Sequence, residues 1–305
     1  MTSRSPRYYV SAAYWDRDSM LWSFPGLLDV DAPAAREALE YALTIQLRNT
    51  GTHSRFIDGL VLEDGFQLDE GVAPIIALGS YMRVTNDMNF LTAHRNAVYF
   101  LRDRLLGRYD YTVGMYSSLQ DSQDEFQKSP FLTYDNVLAW RALSDMAVLF
   151  QRLKDPTSAA EMNRRAKQLR VAILAHAVDA VAGAPGSLMK LPALGFISED
   201  DPLFVRTYNW LHSANYAYSY SDKRYGIPGS YRLPITTSWV IADELLLKRS
   251  RERAQRILLA SAWDAGIISE GIDPNTAKMD TAGGAFATAA GYVAHAICAV
   301  ACLPR

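Results

Sequence analysis

The sequence has few of the residues from which metal sites and disulfide frameworks are built. Its 305 residues include two cysteines and five histidines. Cys298 and Cys302 are four positions apart in an apolar stretch, so they share one helix face and favour core packing over a disulfide. The histidines are scattered, with neither an HExxH motif nor Cys/His pairs at zinc spacing. We therefore expect no metal and no cofactor.

An excess of positive charge is also missing. Lys and Arg number 31 against 33 Asp and Glu, which gives a net charge of -2. A chain without a basic excess is poorly suited to neutralise phosphates, so we expect no nucleic-acid partner. Apolar residues make up 49% and charged residues 21%, the ordinary balance of a globular protein. This balance favours a neutral substrate.

Only one stretch is long enough and free enough of charge to suggest a membrane span. Residues 281–304 contain no Asp, Glu, Lys or Arg. Glycines, alanines, Thr288 and His295 make the stretch weakly hydrophobic, so we predict a helix buried on all sides in a protein core and no membrane partner. The apolar run at residues 8–15 is too short for a signal peptide, which predicts a cytoplasmic location.

Helix signals are frequent and strand signals are rare. Asp31, Asp155 and Asp201 each precede a proline or an Ala-Pro pair and predict N-caps. Apolar periodicity predicts eleven helices, and no segment alternates convincingly as a strand. The helices are expected at residues 18–28, 32–46, 70–84, 90–106, 131–153, 156–177, 187–194, from 202, 238–248, 251–263 and 283–301.

The connections between these helices alternate between short and long. Three of them, residues 49–69, 107–130 and 264–282, run to about 20 residues, and long loops without regular structure are usually functional. In a ring of helical hairpins this alternation places all the long loops at one end. The pattern predicts an all-α fold, an α/α toroid forming a single domain over residues 1–305; an open bundle or an α-solenoid is the alternative.

Carboxylates and tryptophans concentrate at the predicted long-loop face. Aromatic faces stack on sugar rings, and Asp, Gln and Arg side chains bond to sugar hydroxyls. Glycosidic cleavage needs two carboxyl groups, one protonated and one ionised. These segments therefore suggest a site for a neutral sugar, although acidic residues such as Asp69, Asp87 and Asp155 also fit simple helix caps. The segments are residues 15–18, 67–70, 121–125 and 269–273.

Several motifs resemble, in the same order, those of the glucoamylase-like glycoside hydrolases, whose fold is the (α/α)6 barrel. The resemblance covers the chain from Tyr8 onward. It implies an inverting, exo-acting α-glycosidase that hydrolyses α-linked glucosides or related oligosaccharides. The motifs are Tyr14-Trp15-Asp16-Arg17-Asp18, Gln67-Leu68-Asp69, Leu194-Gly195-Phe196, Asp200-Asp201-Pro202, Lys223-Arg224-Tyr225 and the segment from Ser269-Glu270 to Pro274.

The resemblance also implies the catalytic residues. Glu270 falls on the general base. The family's general acid falls on Asp124, with Glu125 adjacent, but the Trp before it and the Arg after it are missing. An Asp acid would need a raised pKa, from burial or from a like charge. Inversion predicts carboxyl groups about 6.5 to 9.5 Å apart.

The same motifs imply residues that would bind the terminal sugar and line its pocket. An Asp pair before a similar inner helix is also found in the metal-independent exo-α-mannosidases, which this chain resembles at that point. The identity of the sugar therefore stays open. The implied residues are Trp15, Arg17, Asp18, Gln67, Asp69, Trp210 and Arg224.

The resemblance begins at the family's second helix, so the fold is expected to lack the first outer helix. An open ring exposes apolar sides of its neighbours, which favours a homo-oligomer or closure by an upstream segment. The irregular acid motif keeps open a non-catalytic carbohydrate-binding or interaction protein on the same scaffold. A polysaccharide lyase is the other alternative, but its acidic substrate is not favoured by the balanced charge.

Overall fold

A computed structural model describes residues 13–122, 124, 126, 128–176, 185–228, 235–261, 263, 267–279 and 286–301. Helices dominate this part of the chain. A π-helix, Arg17–Ser23, runs directly into the first α-helix, and short 3-10 helices lie at Leu47–Asn49 and Pro185–Lys190. The α-helices are α1 (Phe24–Val30), α2 (Ala32–Leu43), α3 (Leu68–Thr85), α4 (Met88–Ala93), α5 (Arg95–Leu106), α6 (Thr133–Arg152), α7 (Pro156–His176), α8 (Pro202–Leu211), α9 (Ser238–Leu246), α10 (Arg251–Ala260) and α11 (Ala287–Ala301).

The long connections are less irregular than the sequence suggested. Each contains part of a two-stranded antiparallel pairing. The fold remains all-α, because the strands of the described residues are short and form three separate two-stranded pairs. The strands are β1 (Thr52–Arg55) with β2 (Val61–Phe66), β3 (Tyr109–Asp110) with β4 (Met115–Tyr116), and β5 (Thr236–Thr237) with β6 (Gly271–Ile272).

The chain divides into two compact units. The first is Ala13–Gly183, and the second is Ala184–Arg305. Helices α1 to α7 belong to the first unit, and α8 to α11 belong to the second. The single domain over residues 1–305 stays a prediction.

Helix α3 is the central helix of the first unit. It is poor in charge, and thirteen of its residues are buried, including Leu68, Ile75 and Leu78, each 0% exposed. It packs against α2, α5 and α6, and α6 packs in turn against α7. Each fully buried aliphatic side chain contributes roughly 1.5–3 kcal/mol. Residues 70–84 form a helix that is buried over most of its surface, as predicted, although Arg83 and Val84 in its last turn are exposed. Its place as an inner helix of a ring stays a prediction.

The predicted helix caps are present. The carboxylates of Asp31, Asp155 and Asp201 accept from the backbone N–H groups of Ala34 at 2.9 Å, Ser158 at 3.0 Å and Leu203 at 2.8 Å. Each therefore satisfies one of the donors that a helix start leaves open.

In the second unit, α9 packs against α10, α11 and the 3-10 turn Pro185–Lys190. The prediction that residues 283–301 are buried on all sides is wrong for the described residues of α11. Its buried side chains, among them Tyr292 and Val293, follow one face, whereas Ile297 is 48% exposed. Among the described residues, no helix is both long enough and apolar enough to cross a bilayer.

Candidate active site

The residues before α3 and the residues before α1 are held together by backbone pairing. Tyr14 exchanges two backbone hydrogen bonds with Arg55, at 2.7 and 3.0 Å. The Arg55 guanidinium, itself fully buried, then forms an ion pair with Asp16, which also accepts from the Tyr14 hydroxyl at 3.0 Å. This buried pair fixes the strand β1 against the start of the π-helix.

Glu70 anchors the π-helix from the opposite side. Its Oε2 accepts from the backbone N–H groups of Asp16 at 2.5 Å and Arg17 at 3.1 Å, where a carboxylate complements the partial positive charge of a helix start. Burial raises the pKa of Glu70 well above its ordinary value, and the charges of Asp16 and Asp69 add to the effect, against the opposing charge of Arg17. No sequence pattern indicated this anchor beyond its place next to Asp69.

Arg17 is the centre of the site. Its Nη1 donates to Gln67 Oε1 at 2.7 Å and to Asp69 Oδ2 at 3.3 Å, and its Nη2 donates to Asp124 Oδ1 at 2.9 Å. Burial opposes the charge, but the carboxylates of Asp124, Asp69 and Glu70 outweigh it and raise the pKa of Arg17 well above its ordinary value. We call Arg17, Gln67, Asp69, Glu70 and Asp124 the Arg17 cluster.

The start of α3 presents two members of this cluster. Gln67 has an extended backbone, its N–H donates to the carbonyl of Gly51 at 3.0 Å, and its Nε2 donates to Asp124 Oδ1 at 2.8 Å. Asp69 accepts from the N–H of Glu70 at 2.8 Å with the oxygen that does not face Arg17. Neither Gln67 nor Asp69 is exposed, so both act as fixed groups rather than as solvated loop residues.

Asp124 is the most open member of the cluster, with a side chain that is 36% exposed. Its backbone is left-handed, with φ of 67°, a conformation that Asp tolerates better than most residues. The expectation of a raised pKa at Asp124 is wrong. Burial does act to raise it, but Arg17, the Gln67 amide and His53 together lower the pKa below the usual value of an aspartate. Asp124 is therefore an ionised acceptor at neutral pH.

A second carboxyl near this site has the opposite character. Asp135, in the first turn of α6, is 1% exposed, and its Oδ2 has no hydrogen-bond partner among the described residues. Burial raises the pKa of Asp135 well above its ordinary value, and the charges of Asp69 and Asp121 raise it further. No motif singled out Asp135, because it lies inside a predicted helix. Glu125, the other candidate acid, lies outside the described residues.

Other predicted sugar-binding residues of the first unit are arranged differently around Arg17. Asp18 is half-buried, with its carboxylate 3.7 Å from Arg17 Nε. Trp15 is only 5% exposed, so its indole lies in the core rather than on an open wall. Among the predicted site residues of the first unit, direct hydrogen bonds join Arg17 to Gln67, Asp69 and Asp124.

Glu270 lies in the second unit, immediately before β6. Its backbone carbonyl accepts from the N–H of Ser238, the first residue of α9, at 2.8 Å. The Ser238 hydroxyl donates to the carbonyl of Ser269 at 2.7 Å, and the Ser269 hydroxyl donates to the carbonyl of Gly271 at 2.6 Å. The half-buried Glu270 is therefore presented by a backbone that is fixed on both sides. Its predicted separation from Asp124 stays a prediction.

Trp210 and Arg224 also belong to the second unit. Trp210 is half-buried and packs against Tyr216, with ring centroids 4.9 Å apart. Arg224 is exposed, and its guanidinium lies 5.1 Å from the centre of the Tyr225 ring. Both remain predicted substrate contacts.

Several solved structures share the fold of this chain. A metal-independent α-mannosidase from Streptococcus pneumoniae, in a non-productive complex with α-1,6-mannobiose, is similar with a TM-score of 0.78 at 15% identity, covering 96% of this chain and 87% of the other. The glucoamylase of Saccharomycopsis fibuligera is similar with a TM-score of 0.73 at 13% identity, covering 97% of this chain and 87% of the other. A bacterial glucoamylase complexed with acarbose gives 0.68 at 18% identity, covering 93% of this chain and 48% of the other.

These likenesses confirm the predicted all-α, α/α-toroid fold class and the resemblance to glucoamylases and metal-independent α-mannosidases. The structures named are glycoside hydrolases. No protein-family model matches the sequence, and no curated protein matches it.

Proposed function

We propose that this chain is a glycoside hydrolase that removes a terminal sugar from an α-linked oligosaccharide with inversion at the anomeric carbon. The observation that carries the proposal is the Arg17 cluster. It sets a buried guanidinium, an amide and carboxylates within hydrogen-bond distance of one another, and it reaches solvent at Asp124. The glycosidases that share the fold support it.

The chemistry of the cluster suits a neutral sugar. A sugar hydroxyl donates one hydrogen bond and accepts others, so it can bridge the acceptor oxygens of Asp69 and Asp124 and the donors of Arg17. Hydrogen bonds to charged groups are stronger than those between neutral groups. The carboxylates around Arg17 repel an anionic polymer, which argues against a lyase acting on an acidic polysaccharide.

The charge state of Asp124 divides the roles in the reaction. An ionised Asp124 cannot supply a proton, so we assign it to substrate binding and assign the general acid to Glu125, its neighbour in the sequence motif. Glu125 gives its proton to the glycosidic oxygen as the bond from that oxygen to the anomeric carbon breaks. Glu270 takes a proton from the water that forms the new bond on the opposite face.

The first experiment follows the product anomer by NMR on a panel of α-linked glucosides and mannosides. Both sugars are included because one neighbour carries acarbose and another carries α-1,6-mannobiose. We expect the inverted anomer from the wild type and a loss of roughly 10²–10⁴-fold in kcat for Glu270→Gln. A retained anomer would exclude inversion. Binding without turnover across the panel would instead support a non-catalytic carbohydrate-binding protein.

The second experiment separates Asp124 from Glu125. An aryl glycoside whose phenol leaves readily does not need protonation, so it rescues a variant that lacks the general acid. We expect Glu125→Gln to lose activity on disaccharides but to keep most of it on the aryl glycoside. Asp124→Asn, which removes a binding group, should lose activity on both. Rescue of Asp124→Asn alone would return the acid role to Asp124.

A further inference from the structure

His53 is the one titratable side chain of the β1–β2 hairpin that the structure places beside the Asp124 carboxylate, within the described residues. Its Nε2 lies 3.7 Å from Asp124 Oδ1 and 3.6 Å from Glu63 Oε2. Glu63 is held on β2 by the Ser54 hydroxyl, which donates to the same Oε2 at 2.6 Å. His53 therefore stands between a carboxylate of the hairpin and a carboxylate of the Arg17 cluster.

The other ring nitrogen of His53 contacts the loop that carries Asp124. The Gln120 amide nitrogen lies 3.3 Å from Nδ1 of His53 and donates to the backbone carbonyl of Asp124 at 3.0 Å. A carbonyl can only accept, so this bond fixes which end of the amide carries the hydrogens. Nδ1 must then accept as well, and the proton of the neutral imidazole sits on Nε2.

The Gln120 amide packs against Gly65, where no side chain would fit. Gly65 has φ of +128°, and a Cβ built there would lie 2.4 Å from Gln120 Oε1. Backbone bridges also join Gln120 to Gln67 and to Phe126, and Gln120 and Phe126 flank Asp124 in the sequence. The amide is therefore confined, and turning it over would break its bond to Asp124.

We propose that His53 is a positioning residue for Asp124, and that its neutral form, with the proton on Nε2, fixes the loop of Asp124 through the Gln120 amide. Where activity is the readout, this inference rests on the proposed function. Protonation of Nδ1 would bring two N–H donors, one of His53 and one of the Gln120 amide, to face each other, and the hydrogen bond between them would be lost. The charged groups that face the ring are the carboxylates of Glu63 and Asp124, with the Arg17 guanidinium 2.9 Å from Asp124 Oδ1.

Nitrogen-15 NMR of the imidazole tests the proposal without turnover. We expect an unprotonated Nδ1 and a protonated Nε2 in the wild type above neutral pH. A protonated Nδ1 in the neutral ring would overturn the proposal. Because this measurement needs no substrate, it stands even if the chain hydrolyses none of the panel, and the proposed function would then fail alone.

Two substitutions at His53 form a matched pair. In His53→Asn, the new Oδ1 can accept the hydrogen bond from the Gln120 amide in place of Nδ1. In His53→Phe, an aromatic ring remains but the acceptor is lost. We expect Asn to retain kcat within about threefold and Phe to lose about 10- to 100-fold in kcat, with a smaller change in KM, because a displaced group near the chemistry costs rates of that order. Equal activities for Asn and Phe would overturn the proposal.

The pH profile and a second site complete the test. The acid side of the kcat profile should contain a component in the wild type that is absent in His53→Asn. Gly65→Ala, whose methyl group would lie 2.4 Å from Gln120 Oε1 and only at van der Waals distance, 3.8 Å, from His53 Cβ, should lower kcat in the same way as His53→Phe. The carbon-13 signal of the Asp124 carboxyl gives a readout apart from activity, because loss of His53 removes a charge that lowers its pKa. An unchanged Asp124 titration in His53→Phe would contradict the contact.

Discussion

Each of the two units contains a buried cluster of ionisable side chains, and the pKa shifts in the two clusters have opposite effects. They favour the charged forms of Arg17 and Asp124 in the first and the neutral forms of Lys190 and Asp243 in the second. In the first, Arg17 donates to three side chains, its pKa is raised, and Asp124 is ionised. In the second, Lys190 lies 4.2 Å from the centre of the Tyr292 ring, and the Tyr292 hydroxyl donates to Asp243 at 2.6 Å. We call Lys190, Asp243 and Tyr292 the Asp243 cluster.

Burial dominates in the Asp243 cluster. It lowers the pKa of Lys190 to about 8, against the charge of Asp243, and raises the pKa of Asp243 to about 7, against the charge of Lys190. The comparison shows that burial alone does not decide whether a charge survives. A guanidinium has five fixed donors and stays charged, whereas an ammonium loses its proton readily when few partners compensate for lost water.

Removing Arg17 should produce the largest effect. Arg17→Met leaves Asp69, Glu70 and Asp124 without their common counter-charge, so we expect a loss of roughly 3–5 kcal/mol in the free energy of unfolding. Urea unfolding followed by circular dichroism measures it. Arg36→Met is the matched control, because its ion pairs with Glu40 and Asp87 are partly exposed and their loss should cost roughly 0–1 kcal/mol. Similar losses for both variants would contradict the assigned importance of the Arg17 cluster.

Removing Lys190 should cost less and should depend on pH. Asp243 can stay protonated when its partner is lost, so Lys190→Met is expected to cost roughly 1–3 kcal/mol at pH 6. Because Lys190 lowers the pKa of Asp243, that pKa rises above about 7 in the variant. Urea unfolding at pH 6, 7.5 and 9 tests this.

The sign of the pH effect follows from which state binds protons more tightly. The raised pKa of Asp243 makes the wild type lose stability from the unfolded value near 4 up to about pH 7, and the lowered pKa of Lys190 makes it gain stability above about pH 8. In Lys190→Met the loss should continue above pH 7 and the later gain should vanish. A variant whose curve runs parallel to the wild type would show that the two groups are not linked.

The smallest effect on stability is expected at Asp124. Its side chain is 36% exposed, so Asp124→Asn should change the free energy of unfolding by no more than about 1 kcal/mol. Turnover should nevertheless fall by about 10²-fold, because the substitution removes a charged hydrogen-bond acceptor that binds the substrate. Asp103→Asn, whose carboxylate pairs with Arg102 and is 63% exposed, is the control for charge alone. A large loss of stability in Asp124→Asn would make Asp124 a structural residue.

Much of the fold could be predicted from local signals. Asp31, Asp155 and Asp201 mark helix starts because a cap acts within three residues, and α3 is recognisable because residues 72–79 are all uncharged and apolar. The long connections were harder. The pairing of β1 with β2 depends on contacts with Tyr14 that no local pattern encodes, and the break between α4 and α5 at His94 interrupts an otherwise continuous periodicity.

Some members of the candidate site could be predicted from the sequence, but their charges could not. The motifs identified Arg17, Gln67 and Asp69, which the structure brings together. They could not show that Asp124 is ionised, since its pKa depends on partners more than fifty residues away. His53 was overlooked for the same reason.

The π-helix Arg17–Ser23 has a consequence for insertions and deletions. The N–H of Phe24 donates to the carbonyl of Ser19, five residues back, so this turn holds one more residue than an α-turn does. Deleting one residue between Ser19 and Trp22 would restore ordinary α-helical spacing. With α1 fixed in place, the deletion would swing Arg17 by roughly 100° about the helix axis, the rotation of one residue. The length of this short segment, as much as its composition, therefore directs the guanidinium toward Gln67, Asp69 and Asp124.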